Sequence, residues 1–433
     1  MMGRLLLSLA FLALPVVSFG QAWSIDDCVE YAILHNPEIL HRQLRYDNQK
    51  EVLDETSAVR MPVISLGVQE TLHSGNTLLM YSVDENLTMS LTQMAATLEM
   101  PLLSGGSIPS SKNAELYSLK ASAEEITVSK INIRIRVAAA YLQLLSDMSR
   151  ERIAEEQAAL CREQAGYVEK LVAEGRRTNA DLSEARSALS SAEYLCTIAE
   201  GNTIMSKVNL VNLIGLDDET GFEIMELEDR VEDTETVAIL PLLDGIDNHP
   251  AVLSAEYGMK SAEFRVKAAK GSLYPQLSLF ANYNNYLVLP IGYKDFEGLK
   301  QPGGTGWGAL GLKLSVPILN LPANKQVSRA RVALDDARVT MDESRKETAR
   351  QFREAYYRAI AARERYESAV KAESAAQEAY DSRKKMYDAG RSTSFDLEQS
   401  RLNWFSASEE VISSKYEYLL RNRILQYYTN YTE

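Results

Sequence analysis

The residues with the clearest capacity for chemistry are four histidines and three cysteines. His35, His41, His73 and His249 are scattered and match no zinc-ligand spacing. Cys28, Cys161 and Cys196 supply no disulfide framework. Cys161 and Cys196 flank a predicted helical hairpin at similar depth and could meet in a bridge; buried free thiols are the simpler expectation. No nucleophile elbow, Walker loop or paired-cysteine motif occurs. Gly303-Gly304-Thr305-Gly306 precedes a strand-like run rather than a helix, so it reads as loop and not as a phosphate cradle. The expectation is a protein with no catalytic residues, no cofactor and no metal, hence not an enzyme. What remains is a pair of carboxylates at a repeated place: Asp181 and Asp396 each follow a glycine, Gly175 or Gly390, by six residues. A carboxylate so placed can cap the first turn of a helix.

The elements that position those carboxylates are duplicated. His35-Asn36-Pro37 and Asn248-His249-Pro250 each open a helix with an early proline, where the missing N–H matters least. Pro37 to Pro62 and Pro250 to Pro275 are both 25 residues, and each second proline begins a β-like run. A third proline closes a second such run, at Pro101 and at Pro317. Then come 74 residues to Gly175 and 73 to Gly390, nearly all good helix formers. Agreement at so many spacings predicts an internal repeat. Each half reads helix, strand, strand, long helix, turn, long helix. The helix expected over 109–173 would be ~98 Å long, which implies a coiled coil or a tube. Gly175 and Gly390 are the predicted hairpin turns.

The boundaries follow: residues 1–20 as a leader; 21–216 as a first repeat, with strands 61–73 and 86–101 and a helical hairpin over 107–214; a connecting segment 217–243; and 244–433 as a second repeat, with strands 274–286 and 306–318 and a hairpin over 323–430. The leader has Arg4, an apolar run from Leu5 to Val17, and Ser18-Phe19-Gly20 at its end, which predicts a secretory signal. Asp217 to Glu235 holds ten acidic residues and one arginine and suits a solvated linker or a basic partner. The net charge of −14 excludes general nucleic-acid binding.

The β-like runs carry the membrane reading. Ile64, Leu66, Val68 and Leu72 alternate with Ser65, Gly67, Gln69 and Thr71, Glu70 being the exception. Leu310, Leu312, Leu314, Val316 and Ile318 alternate in the same way. In the 86–100 run the parity changes near Gln93, which predicts a bulge. Such alternation over about ten residues suits a transmembrane barrel strand. It also suits a soluble sheet packed on a helix, as in a periplasmic coiled-coil adaptor, which is the alternative reading. Trp307, Tyr283, Tyr286 and Tyr293 are candidates for an interfacial girdle. The segments 74–85 and 287–305 would be outward loops. No later run is long and apolar enough for a membrane helix. Four strands are too few to close a barrel across a bilayer, so copies of the chain must pool their strands; two, three or four copies are all allowed by physics.

The order of elements, the paired phrases Val172-Ala173-Glu174-Gly175 and Tyr387-Asp388-Ala389-Gly390 with their following Asp181-Leu182 and Asp396-Leu397, and Leu213-Ile214-Gly215 resemble the TolC-type outer-membrane efflux proteins. The resemblance covers essentially the whole mature chain. It implies an α+β membrane protein: a homotrimer whose protomers each give four strands to a shared 12-stranded β-barrel in outer-membrane lipid, continued by a long helical coiled-coil tunnel into the periplasm. It also implies docking to a periplasmic adaptor and an inner-membrane pump, in a tripartite efflux or type I secretion system. By the same resemblance Asp396 matches an aspartate of a periplasmic constriction, and Gln399 stands where the family often has a second one. Tyr387 and Asp181 match a tyrosine and an aspartate whose link helps hold the tip closed. The matching arginine is Ser392 here, beside Arg391, and is not carried over.

Overall fold

The computed structural model describes residues 22–79, 82–217, 221–226, 245–291 and 306–429. The expected leader, most of segment 217–243, Tyr293 and most of 287–305 lie outside them. In chain order the described elements are α1 (Ile25–His35), α2 (Pro37–Ala58), β1 (Val63–Leu79), β2 (Ser82–Ser104), α3 (Ser107–Ala173), α4 (Asn179–Ile214), α5 (Pro250–Gly271), β3 (Gln276–Ile291), β4 (Trp307–Ser315), α6 (Leu321–Asp388) and α7 (Ser394–Thr429). From α2 to α4, and again from α5 to α7, the order is helix, strand, strand, helix, helix. The two longest helices, α3 and α6, have 67 and 68 residues.

The chain divides into two compact units. One holds residues 41–128 and 245–349; the other holds 1–40, 129–244 and 350–433.

The first unit contains an antiparallel sheet in the order β1-β2-β3-β4. Its register sorts the side chains. Ile64 faces Leu98, which faces Ala281, which faces Leu310. Residues directly opposite share a face, so this row lies on one side of the sheet with Leu66, Val68, Met94, Leu279, Leu312 and Leu314. Ser65, Thr97, Asn282 and Ala309 form a row on the other side. Ile64, Leu66 and Leu310 are 74%, 78% and 76% exposed, so among the described residues nothing covers this part of the apolar side.

Four expectations change here. The strands are longer than the alternation suggests: β1 and β2 pair to Leu79 and Ser82, so 74–85 is mostly ladder and not loop, with an irregularity at Gly75/Thr77. β4 instead ends at Ser315, ahead of Pro317, which has no N–H to give a ladder. No bulge occurs at Gln93, which faces Gln69 directly; the second slip is at Pro101/Leu103. The parity change therefore puts Ser90 and Thr92 on the apolar side, and there Ser90 Oγ donates to Glu70 Oε1 at 2.7 Å. Glu70, the exception in its strand, has a cross-strand partner, so the ladder needs no extra residue. Finally, Tyr283 is on the apolar side opposite Gly308, but Tyr286 pairs with Gln93 and Trp307 with Asn284, which puts both on the polar side.

Two glycines let the strand ends approach the helices. A Cβ on Gly105 (φ +58°) would lie 2.3 Å from the Gly271 carbonyl oxygen, and one on Gly271 would lie 2.6 Å from the Ser107 nitrogen. The start of α3 and the end of α5 can touch only because neither residue has a side chain.

The second unit has its core where α1, α3 and α4 meet. Cys28 and Ala32 from α1, Ile133, Val137 and Tyr141 from α3, and Leu210 and Ile214 from α4 are almost fully buried. Burying so many apolar groups stabilises the meeting of the three helices. Tyr141 Oη lies 2.7 Å from the Met225 carbonyl and 3.0 Å from that of Trp23. Those two segments form a short parallel bridge, Trp23 with Ile224. Asn36 donates to the Leu213 carbonyl at 2.9 Å and accepts from Glu38 N, so it ties α4 to the start of α2. The three cysteines are free. Cys161 packs on Ala192, and Cys196, one turn further along α4, lies against Glu200. Cys196 shares the face of Ala192 but lies a full turn, ~6 Å, beyond it along the axis, so Cys161 and Cys196 do not form the bridge considered above. Burial pushes the Cys28 thiol up to about 12.

Candidate functional site

The carboxylates singled out in the sequence lie at the tips of the two helical hairpins, both in the second unit. The tips share a backbone design. Gly175 (φ +72°) ends α3: its N–H donates to Val172, and the N–H of Arg176 to Leu171. Gly390 (φ +70°) ends α6: its N–H donates to Tyr387, and that of Arg391 to Met386. Both are left-handed helix stops of the Schellman kind, which glycine adopts without strain.

The return helices start alike. Thr178 accepts from Asp181 N at 3.2 Å, and Asp181 Oδ2 accepts from Thr178 N at 2.9 Å, which is a capping box. Thr393 and Asp396 repeat it at 3.1 and 3.3 Å. In each box the aspartate also accepts from the threonine hydroxyl. These bonds hold both carboxyls below their usual range. For Asp181 the Thr178 backbone bond is the largest cause; for Asp396 it is the Thr393 hydroxyl. Both carboxylates therefore act as caps, and both remain partly open to solvent.

Tyr387 and Asp181 are not hydrogen-bonded. The Tyr387 ring is 2% exposed, and its hydroxyl has no hydrogen-bond partner. Burial raises its pKa. The contact across the hairpins is instead Arg177, whose guanidinium carbon is 4.7 Å from the ring centroid. A second link joins the same hairpins: Ser394 Oγ donates to Glu184 Oε2 at 2.7 Å. Sequence reading gives neither Arg177 nor Glu184 a role. Ser394 and Glu184 are 210 positions apart, and nothing local in the sequence marks such a pair. Gln399 is exposed and donates to Asn403 on its own helix at 3.1 Å.

Higher in the second hairpin, Tyr380 stacks on Trp404 at 5.2 Å, and Trp404 Nε1 donates to Glu373 at 2.9 Å. Arg401, 5% exposed, pairs with Glu398. Among the described residues no three of His, Cys, Asp and Glu are placed to hold a metal ion, and no helix is long and apolar enough to cross a membrane.

A sheet with one uncovered apolar face, carried with two pairs of very long helices and a repeated pair of capped tips, defines a class: the outer-membrane channels that continue as helices into the periplasm. The chain belongs to the outer membrane efflux protein family, which it matches over residues 29–216 and 244–430. It is therefore a protein of the outer membrane, from a family of channels and not of enzymes. It is 22% identical to Protein CyaE of Bordetella pertussis over 403 residues, 92% of this chain and 82% of that one. Its fold is that of solved outer-membrane proteins. The outer membrane protein VceC of Vibrio cholerae aligns with a TM-score of 0.78 at 15% identity, over 93% of this chain and 95% of its own. The Campylobacter jejuni outer membrane channel CmeC aligns with 0.78 at 17% identity, over 94% and 85%.

Proposed function

We propose that three copies of this chain close into one channel that passes solutes or polypeptides from a periplasmic pump complex to the exterior. The observation that carries this is the sheet with two open edges, β1 and β4, and one apolar face. In lipid, each unpaired edge group would cost several kcal/mol. Because the order is β1-β2-β3-β4 and every neighbour is antiparallel, β4 of one copy meets β1 of the next antiparallel as well. The ladder can therefore continue from copy to copy until it closes. Three copies give twelve strands and a water-filled lumen faced by the Ser65, Thr97 and Asn282 row. The family resemblance favours three over two or four, and it favours an adaptor and an inner-membrane pump as partners in efflux or type I secretion.

Within this reading the hairpin tips form the periplasmic entrance. Asp396 and Gln399 line its constriction, Tyr387 and Asp181 stand beside the links that hold it, and Gly175 and Gly390 fix the turns. The channel itself performs no chemistry; the pump supplies the energy. Electron microscopy of the detergent-extracted protein tests the proposal. A threefold tube with a barrel cap and ~100 Å of helical stem is expected. A monomeric particle that stays in solution without detergent would return the sheet to a soluble domain and overturn the channel.

A further inference from the structure

The chain has a net charge of −14, yet the four junctions between its sheet and its helices are charged in one sense only, and that sense is positive. Residues 56–63, 100–114, 264–278 and 316–334 contain eight lysines and arginines and no aspartate or glutamate. All eight are exposed, and all belong to the first unit. Among the described residues only Arg265 meets a carboxylate, Glu115 at 3.5 Å. Further from the sheet the same helices pair their cations, Arg42 with Glu125 and Arg345 with Asp247, each at 2.9 Å.

Five of the cations without a carboxylate share one depth. Lys112 is five residues past Ser107 at the start of α3, and Lys325 is four past Leu321 at the start of α6. Lys267 and Lys270 are four residues and one residue before Gly271 at the end of α5, and Arg60 lies between α2 and β1. At ~1.5 Å per residue, each lysine is within ~8 Å of its helix end. Between these cations and the sheet every junction shows an apolar side chain to solvent: Met61, Leu103, Tyr274 and Ile318 are 66%, 64%, 58% and 97% exposed. In a bilayer the headgroup layer beside the hydrocarbon is ~5–8 Å thick, so the cations stand at the level of the phosphates.

We propose that the junctions bind anionic phospholipid. The phosphate and its net negative charge are met by Arg60, Lys112, Lys267, Lys270 and Lys325, and the acyl chains lie on the apolar side chains above. Two features select this ligand. A zwitterionic lipid covers the apolar rim but brings a cation of its own to a place already full of them. A soluble anion or an acidic protein meets the cations but leaves Ile318 and its neighbours in water. Lysine suits the role because its stem lies along apolar surface while the ammonium reaches the headgroup. Lys267 has this posture over the Phe264 ring, 4.3 Å from its centre. The proposal rests on the sheet's lying in the membrane, but not on the number of copies or on conduction.

The test places the full-length protein in phosphatidylcholine vesicles with a trace of spin-labelled phosphatidylglycerol or spin-labelled phosphatidylcholine. Electron spin resonance reads the fraction of each label immobilised at the protein. Phosphatidylglycerol is expected to be favoured by up to about five-fold, the factor that ~1 kcal/mol per basic residue at a charged membrane surface gives. The preference should fall towards unity in ~1 M salt. Lys112→Gln, Lys270→Gln and Lys325→Gln combined should cut it at least about two-fold at low salt, whereas arginine at the same three positions should keep it. Lys371→Gln with Lys384→Gln, on α6 far from the sheet, should change nothing. Equal immobilisation of the two lipids, or a preference untouched by the triple glutamine variant, would overturn the proposal alone. So would a preference erased by inorganic phosphate but not by sodium chloride of the same ionic strength, which would assign the cations to a free anion. No immobilised fraction of either lipid would overturn it together with the membrane placement of the sheet.

Discussion

The guanidinium of Arg177 lies over the ring of Tyr387, 4.7 Å from its centre, and so joins the turn of one hairpin to the last helical turn before the other. A cation over an aromatic face at such a partly exposed site contributes about 1 kcal/mol. Arg177→Ala should loosen the contact between the two tips by that amount. Single-channel recording checks it: the variant is expected to open more often, by about five-fold for each ~1 kcal/mol lost, whereas Arg176→Ala, at an exposed position, should not.

The twin capping boxes predict matched effects at the two tips. Thr178→Ala removes a cap worth ~1 kcal/mol, and Thr393→Ala acts in the same direction. Hydrogen exchange should rise in the first turn of α4 for one and of α7 for the other, with the cores unchanged.

The same bonds give the tips a pH dependence. In both aspartates the bonds from the capping threonine hold the folded carboxyl below its usual range. A lowered carboxyl pKa contributes stability above the unfolded value, and that stability is lost as pH falls through the folded one. The tips should therefore loosen as pH falls below the usual aspartate range, and Thr178→Ala, which lets the folded value rise towards the unfolded one, should make that loss smaller and shift its end to higher pH. Exchange rates across an acid series would show the shift.

Asp396 can serve as cap and filter together. Asp396→Asn keeps an acceptor for Thr393 but removes the charge, so cation preference should fall while the tip stays capped. Unchanged reversal potentials in asymmetric salt would leave Asp396 a cap alone.

Glycine substitutions in the sheet unit should differ in severity. Gly271→Ala drives a Cβ to 2.6 Å from backbone at Ser107. Overpacking against rigid backbone costs about 1–3 kcal/mol. Gly311→Ala meets only the Phe280 ring, at 2.8 Å, and a ring can rotate away. Thermal melts should place Gly271→Ala well below Gly311→Ala.

Much of this was legible in the chain itself. Prolines and glycines mark the places where backbone geometry is restricted or freed, so their duplicated spacing located the helix starts, strand starts and hairpin turns. Alternation in 64–72 and 309–315 assigned faces to β1 and β4, because strand side chains alternate strictly. Tertiary structure decided what depends on partners far away in sequence. Gln93 reads as a bulge until its partner Gln69 is known, and Glu70 reads as misplaced until Ser90 is seen beside it. Tyr286 and Trp307 are equally aromatic whichever side they take, and only the ladder chose. At the tips the sequence pointed to Tyr387 and Asp181, but the carboxylate is held by a threonine three residues away, and the ring takes its cation from the other hairpin. Local spacing fixes local hydrogen bonds; which side chains meet across hairpins 200 residues apart depends on helix phase and packing, and only the folded chain sets those.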